Sequence, residues 1–268
     1  METIEIDTRN GIAIVWLNRP EVRNAFNPTM VTELGDAFTR LARDRAVRAL
    51  VVAARGPAFC AGADLNEMKR TANAGAKESN ASALRWARML YSLASFPKPT
   101  VARVHGAAFA GGIGLVAACD IAVAAQAAEF CVSEVKLGLV PAMMGPYVIA
   151  KIGEAAARRY FLTAERFDAA EAYRLGLVQE LASAEELDAT INGILGHVIE
   201  GAPGAHAGTK ALIREALARP IDATIVARSA KRNAQARMSA EGKEGVRAFL
   251  ERRKPAWVEP AKPPRTKR

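Results

Sequence analysis

The pattern of apolar and polar positions changes along the chain from alternation to helical spacing and back. Residues 4–17 alternate around Asn10-Gly11, a turn dipeptide, which predicts a hairpin of two strands. In residues 28–44 apolar side chains recur every three or four positions, which predicts an amphipathic helix. Residues 48–55 form the continuous apolar run that is typical of a strand buried on both faces.

The same alternation of strand and helix continues through residues 83–96 (helix), 100–106 (strand), 114–120 (helix) and 121–125 (strand). This order predicts an α/β architecture with largely parallel strands. From about Glu185 the strand pattern is lost and the chain becomes helical, with residues 201–208 predicted as a loop between helices.

The chain carries a formal net charge of +9, which raises the question of a nucleic-acid partner. Residues 251–268 hold seven Lys and Arg against two Glu, a net of +5, so much of the excess belongs to a tail. A solvated tail is the simplest interpretation, although such cations also bind the phosphates of a small molecule. Because no basic-aromatic motif for base stacking is present, we expect no nucleic-acid partner.

The three cysteines, Cys60, Cys119 and Cys131, form no CxxC pair and are odd in number. This argues against a disulfide framework or a zinc site and predicts a reducing, cytoplasmic location. The N-terminus shows no signal peptide. Residues 106–125 have the length of a membrane span, but their glycines and Asp120 predict a loop, a short helix and a strand instead.

Two loops of small residues, 58–68 and 105–114, each follow a predicted strand and precede a predicted helix. Ligands of α/β folds bind at the carboxyl ends of strands. Because backbone N–H groups at a helix start are unpaired, two such loops can converge on one developing oxyanion. One alternative is that the glycines only permit close packing.

A second alternative for the later loop is a dinucleotide fingerprint. Residues 112–117 fit G-x-G-x-x-A, and Glu134 follows about 20 residues later. The pattern is weak on its own, because it occurs mid-chain and leaves the loop at 58–68 unexplained.

Glu134 is the main candidate for acid-base chemistry. It lies in an apolar stretch, residues 131–140, and burial of a carboxyl raises its pKa toward neutrality, which suits proton transfer. The alternative is that Glu134 pairs with Lys136 or another cation. His105 begins the second loop, but a lone histidine beside a strand is more often a packing or capping residue.

Together these motifs resemble the crotonase, or enoyl-CoA hydratase/isomerase, family. The similar stretches follow the family's order and are residues 23–26, 58–68, 105–125, 130–141 and 164–178. The resemblance implies an α/β fold, a spiral of ββα repeats over residues 1–195 that contains the active site. It also implies a C-terminal helical region with the basic tail over 196–268, which builds trimers, often paired into hexamers.

The same resemblance implies roles for particular residues. The backbone N–H groups of Ala63 and Gly111 would hold the thioester oxygen of an acyl-CoA, and Glu134 would be the catalytic carboxylate. The residues expected to contact coenzyme A are Arg23, Ala25, Ala61, Asp64, Leu65 and, through its phosphates, Lys254. Coenzyme A is part of the substrate, so no further cofactor and no metal are expected.

One departure from the family pattern decides which reactions stay open. Two-glutamate hydratases carry their first glutamate where this chain has Gly114. A single carboxylate allows hydration of a 2-enoyl-CoA or Δ3-Δ2-enoyl-CoA isomerisation, since both need the same oxyanion donors. Met143 and Met144 are expected either to reshape the acyl pocket or to fill the core.

Residues 133–142, 145–167 and 239–257 are similar to the bacterial methylglutaconyl-CoA hydratase-like branch of leucine and isoprenoid breakdown, which also lacks the first glutamate. We therefore predict a hydratase of 3-methylglutaconyl-CoA or another branched enoyl-CoA. A distal carboxylate on the substrate would need a cation, for which Arg85 and Arg88 are the candidates. The remaining alternatives are a non-catalytic RNA-binding relative and an inactive family member.

Overall fold

The computed structural model describes residues 1–217 and 220–258. The chain forms two compact units, Met1–Gly193 and a second unit that begins at Ile194. The division into domains at residues 195 and 196 stays a prediction. The predicted basic tail lies, from residue 259 onward, outside the described residues.

The secondary structure confirms the predicted alternation of strands and helices. The strands are β1 (Ile4–Arg9), β2 (Ile12–Leu17), β3 (Ala49–Ala54), β4 (Thr100–Val104), β5 (Ala107–Phe109), β6 (Ile121–Ala125), β7 (Glu129–Cys131), β8 (Phe167–Asp168) and β9 (Glu180–Ala182). The helices are α1 (Pro28–Arg43), α2 (Leu65–Ala72), α3 (Ala76–Ala94), α4 (Gly111–Ala118), α5 (Gly145–Thr163), α6 (Ala169–Arg174), α7 (Leu187–Glu200), α8 (Pro203–Leu217), α9 (Ala223–Met238) and α10 (Ala240–Leu250).

The larger sheet of the first unit has the strand order β1-β2-β3-β4-β6-β9. β1 and β2 are antiparallel, and Asn10 and Gly11 between them both have positive φ, as a tight two-residue hairpin turn requires. From β2 onward neighbouring strands are parallel, and β3 is buried along its whole length. The hairpin, the buried strand and the α/β class are therefore confirmed.

A smaller sheet of β5, β7 and β8 was not predicted from the sequence. β5 lies inside the predicted loop, and α4 starts at Gly111 instead of Gly114. Glycine is a poor helix former, but here close packing outweighs that propensity. A β-carbon on Gly112 would lie 2.5 Å from the carbonyl oxygen of Cys60, so only glycine fits where the helix starts.

The predicted loop over residues 201–208 is wrong, because α8 already begins at Pro203. Proline suits the first position of a helix, where no N–H is needed. The carboxylate of Glu241 accepts hydrogen bonds from the N–H groups of Gly204 and Ala205. This cap comes from α10 of the same unit and so could not be read from the local sequence.

Residues 106–125 form β5, α4 and β6, as their glycines and Asp120 suggested, instead of one long helix. Throughout residues 1–217 and 220–258, every helix is too short or too polar to cross a membrane.

Two glycines with similar positive φ angles allow the close packing of the loops in the first unit to be tested. Gly106 and Gly138 have φ of 62° and 70°. A β-carbon on Gly106 would overlap the carbonyl oxygen of Pro57, whereas no described atom lies within 4 Å of one on Gly138. Gly138→Ala should lower the free energy of unfolding by about 1–2 kcal/mol through left-handed strain. Gly106→Ala should lower it by about 1–3 kcal/mol more through overlap.

Guanidinium unfolding of the two variants measures this difference. Equal losses of stability would contradict close packing of Gly106 on the neighbouring loop.

Candidate functional site

The segment of residues 23–26 is hydrogen-bonded to the first small-residue loop. The N–H of Ala61 donates to Arg23 O (3.0 Å), and the N–H of Phe26 donates to Gly62 O (2.7 Å). The N–H of Asp64 in turn donates to Phe26 O (2.9 Å). In this parallel bridge the residues on either side of Ala63 face Phe26, so the N–H of Ala63 points away. Ala63 is exposed, and its N–H donates to no other described residue.

A second parallel bridge joins the two loops to each other. The N–H of Cys60 donates to Ala107 O (3.0 Å), and the N–H of Phe109 donates to Cys60 O (2.9 Å). Beyond this bridge Gly62 adopts a φ of 95°. A β-carbon at Gly62 would lie 2.9 Å from the β-carbon of Ala110 and 3.8 Å from the nitrogen of Gly111. The loops therefore touch where both predicted oxyanion donors lie.

Gly111 is the first residue of α4, so its N–H has no partner within the helix. The preceding residue, Ala110, has a φ of 46° and donates its N–H to Cys131 O at 2.8 Å. Cys131 ends β7, three residues before Glu134. One hydrogen bond thus connects the second loop to the segment that bears the candidate acid-base residue.

Glu134 begins a short 3-10 helix and is partly buried. Its Oε2 atom is inaccessible and accepts no hydrogen bond from the described residues. Burial raises the pKa of Glu134, as the sequence predicted. The alternative of a pair with Lys136 or another cation is wrong, because no described cation pairs with Glu134 or affects its pKa. The Nζ of Lys136 instead donates to Ala164 O at 2.7 Å.

The apolar stretch around Glu134 is buried only on its N-terminal side. Cys131 and Val132 are buried, whereas the apolar residues that follow Glu134 are exposed, namely Val135, Leu137, Leu139 and Val140.

Asn24 is a structural centre of the first loop that the sequence analysis missed. Its side chain is fully buried and donates to Arg55 O (2.8 Å) and Ala58 O (2.9 Å). Its Oδ1 accepts from the N–H of Arg19 (2.8 Å). Asn24 also has a φ of 55°, a conformation that asparagine tolerates better than most residues. That local preference was the one available signal.

Asp64 caps α2 and pairs with Arg19. Its carboxylate accepts from the N–H of Asn66 (2.8 Å) and lies 2.9 Å from Arg19 Nη2. Burial alone would raise the pKa of Asp64, but the hydrogen bonds from Asn66 and Arg19 outweigh it and the pKa is lowered. The carboxylate is therefore charged and fixes the loop, while its predicted contact with coenzyme A stays a prediction.

The structure brings the other predicted coenzyme A residues of the first unit to the same loop. Arg23 and Leu65 are exposed, Ala61 is partly exposed, and Ala25 is buried. Lys254 follows α10 in the second unit, and its contact with a phosphate stays a prediction.

Two further side chains near the loops have structural roles. The Nε2 of His105 lies 2.7 Å from Gly56 O, as expected for a packing residue. Cys60 Sγ contacts Asn24 O at 3.1 Å, and burial raises the pKa of its thiol to about 12, which makes it a poor nucleophile.

The methionines after the Glu134 segment differ in environment. Met143 is exposed, whereas Met144 is buried. A β-carbon at Gly114 would lie 2.6 Å from the β-carbon of Met144. Met144 therefore fills the space beside Gly114. Within the described part of the chain, no three His, Cys, Asp or Glu side chains cluster as a metal site would require.

Comparison with known proteins shows the family of this chain. The profile of the Enoyl-CoA hydratase/isomerase family matches residues 7–260. The crotonyl-CoA hydratase of Syntrophomonas wolfei is 32% identical and aligns over 96% of this chain and 98% of its own. This chain therefore belongs to the enoyl-CoA hydratase/isomerase family.

Solved structures show the same fold. An enoyl-CoA hydratase from Shewanella pealeana is 38% identical with a TM-score of 0.93, covering 96% of both chains. An enoyl-CoA hydratase from Mycobacterium smegmatis is 35% identical with a TM-score of 0.90, covering 97% of this chain and 100% of its own. The predicted crotonase-type α/β fold is therefore confirmed, and the dinucleotide alternative for residues 112–117 loses its support.

The buried carboxyl of Glu134 should destabilise the protein at neutral pH. Because its folded-state pKa is raised, the folded state binds more protons than the unfolded state between the two pKa values, and stability falls as pH rises through that window. Glu134→Gln removes the charge. We expect it to raise the free energy of unfolding at pH 8, with a gain that shrinks as pH approaches the ordinary glutamate pKa of about 4.3.

Denaturant titrations at pH 4.5, 6 and 8 measure this effect. Glu129→Gln is the matched control, since Glu129 is exposed and paired with Arg166, and such pairs contribute only about 0–1 kcal/mol. A Glu134→Gln variant that is less stable than the natural protein at pH 8 would contradict a desolvated carboxylate.

Proposed function

We propose that this protein is an enoyl-CoA hydratase that adds water across the double bond of a 2-enoyl-CoA with a single glutamate. The observation that carries the proposal is the hydrogen bond from Ala110 N–H to Cys131 O. This bond connects the second loop, where the N–H of Gly111 has no partner within α4, to Cys131 at the end of β7. Glu134 follows Cys131 by three residues. Family membership supports the same reaction class.

The two loops would supply the electrostatic part of catalysis. The thioester oxygen accepts hydrogen bonds from the N–H groups of Ala63 and Gly111 as it gains charge. Ala63 pairs with Phe26 in one bridge, and Gly111 starts α4 three residues after Ala108 of the other bridge. Because both donors lie in backbone fixed in this way, they would need little reorganisation during the reaction. Loss of one such donor typically costs about 3–4 kcal/mol of activation free energy.

Glu134 would transfer the protons. Its carboxylate takes a proton from a water molecule, whose oxygen bonds to Cβ while the double-bond electrons move toward the thioester. The protonated Glu134 then returns the proton to Cα, so the elements of water are added. A raised pKa suits both steps, because the group must accept and release a proton near neutral pH.

Δ3-Δ2 isomerisation is the second candidate, and Gly114 is the observation that favours it. The space beside Gly114 is filled by Met144, so no second carboxylate is available there. Isomerisation needs the same two donors and one group that moves a proton between carbons of the acyl chain.

The finer substrate proposal is 3-methylglutaconyl-CoA or another branched enoyl-CoA, from the resemblance to that branch. Arg85 and Arg88 both lie exposed on α3. The pKa of Glu67, on α2 next to the first loop, is lowered first by a hydrogen bond from Arg70 and further by the charge of Arg85. Arg85 is therefore the better candidate to meet a distal carboxylate.

The proposed assembly is a homotrimer or a pair of trimers in the cytoplasm. Exposed apolar side chains on the C-terminal helices support an assembly, since such side chains favour burial against another chain. They are Leu212, Ile213, Leu217, Val226, Met238, Val246, Phe249 and Leu250.

Glu134→Gln should lower kcat for hydration of crotonyl-CoA about 10²–10⁴-fold, the usual contribution of a general acid-base group. The loss of absorbance of the conjugated thioester measures the rate. Glu129→Gln should leave the rate unchanged.

Two results would overturn the hydratase proposal. Intact crotonyl-CoA and 3-methylglutaconyl-CoA with the natural protein would exclude hydration, and conversion of a 3-enoyl-CoA to its conjugated isomer would then establish the isomerase. Unchanged hydration by Glu134→Gln would exclude Glu134 as the proton carrier.

Arg85→Ala should weaken kcat/KM for 3-methylglutaconyl-CoA about 10- to 100-fold relative to crotonyl-CoA, because a hydrogen bond to a charged group is lost. Arg88→Ala tests the other candidate, which lies three residues further along α3 and so only about 60° around the helix. Its effect should be the smaller one, because Arg85 is the cation that acts on Glu67 beside the first loop. Equal effects on the charged and the uncharged substrate would contradict a contact between Arg85 and the carboxylate.

A further inference from the structure

We propose that Trp86 limits the length of the acyl chain and so restricts the enzyme to short-chain 2-enoyl-CoA substrates. The proposal rests on the proposed function in one respect, the use of the Gly111 N–H as a donor to the thioester oxygen.

The indole of Trp86 lies directly against Gly111. A β-carbon on Gly111 would be 2.5 Å from Cη2 and 2.8 Å from Cζ3 of Trp86. The six-membered ring therefore borders the residue whose N–H would bind the substrate. A thioester oxygen bound there would lie about 3 Å from the Gly111 nitrogen. An acyl chain that continues from this oxygen along α4 would pass close to the indole.

The indole is held in place by a second aromatic ring. Trp86 and Phe26 have ring centroids 4.2 Å apart with an interplanar angle of 63°, an edge-to-face arrangement. Phe26 is fully buried, and its backbone N–H is bonded to Gly62 O. Because Phe26 is fixed to the first loop, the indole has a rigid support.

The path along α4 beyond the indole is also closed. Gly114 lies one turn after Gly111 on the same helix. A β-carbon there would lie 2.6 Å from Met144 Cβ and 3.6 Å from Leu90 Cδ1. Leu90 follows Trp86 by one turn of α3, so the two side chains lie on one helix face.

These closing groups are apolar and bulky. They fit the end of a short hydrocarbon chain such as that of crotonyl-CoA or a branched relative. At Gly111 and Gly114 they occupy the positions beside α4 that a longer chain would need.

The test compares Trp86→Ala with the natural protein in two independent assays. Calorimetry gives Kd for butyryl-CoA and decanoyl-CoA, which have no double bond to hydrate. Turnover gives kcat/KM for crotonyl-CoA and 2-decenoyl-CoA. The natural protein should prefer the short chain at least tenfold in both assays. Trp86→Ala should reduce that preference at least tenfold, mainly by gaining affinity for the long chain.

Tyr91→Ala is the matched control, because Tyr91 is a 66% exposed aromatic residue on the same helix. The Tyr91→Ala variant should prefer the short acyl chain over the long one as strongly as the natural protein does. If Trp86→Ala does not fold, as judged by circular dichroism, Trp86→Leu takes its place and should shift the preference in the same direction.

The proposal is overturned if the natural protein binds both chain lengths equally, or if loss of the indole changes the Kd ratio less than twofold. The binding assay separates this outcome from failure of the proposed function. A shifted Kd ratio without turnover would support Trp86 as the length limit and exclude the hydratase.

Discussion

Two backbone hydrogen bonds between Cys60 and the residues on either side of Ala108 hold the candidate site together. They join two loops that are far apart in the sequence, and they set the directions in which the neighbouring N–H groups point. Since backbone pairing leaves little freedom, the N–H groups of Ala63 and Gly111, the proposed oxyanion donors, are fixed without a substrate. Electrostatic catalysis depends on that preorganisation.

The same arrangement costs stability at the site. Glu134 is desolvated without a hydrogen bond to its inner oxygen from the described residues. Asn24 and Ala110 both adopt positive φ although neither is glycine. Strain and desolvation of this kind persist only where the surrounding structure fixes them. Here the bridges of the loops and the buried β3 provide that support.

The sequence predicted the elements that depend on neighbouring residues. It missed the elements that depend on contacts between residues far apart in the chain. The hairpin at Asn10-Gly11 and the buried β3 follow from turn chemistry and apolar runs. β5 is three residues long and is defined by its pairing with Cys60 and β7, which no periodicity reveals. The start of α8 depends on Glu241, 37 residues from Gly204.

The candidate site also has features that the sequence predicted and features that it did not. The composition of the loops and the position of Glu134 were visible in the sequence, because small residues and a carboxylate in an apolar stretch are local features. The contacts of Trp86 with Gly111 and of Met144 with Gly114 arise only when helices pack, so the shape of the proposed acyl pocket could not be predicted.

The most direct test of the whole account is a crystal structure of Glu134→Gln with crotonyl-CoA. The thioester oxygen should lie about 2.7–3.1 Å from the nitrogens of both Ala63 and Gly111. An oxygen beyond about 3.5 Å from either nitrogen would contradict a two-loop oxyanion hole.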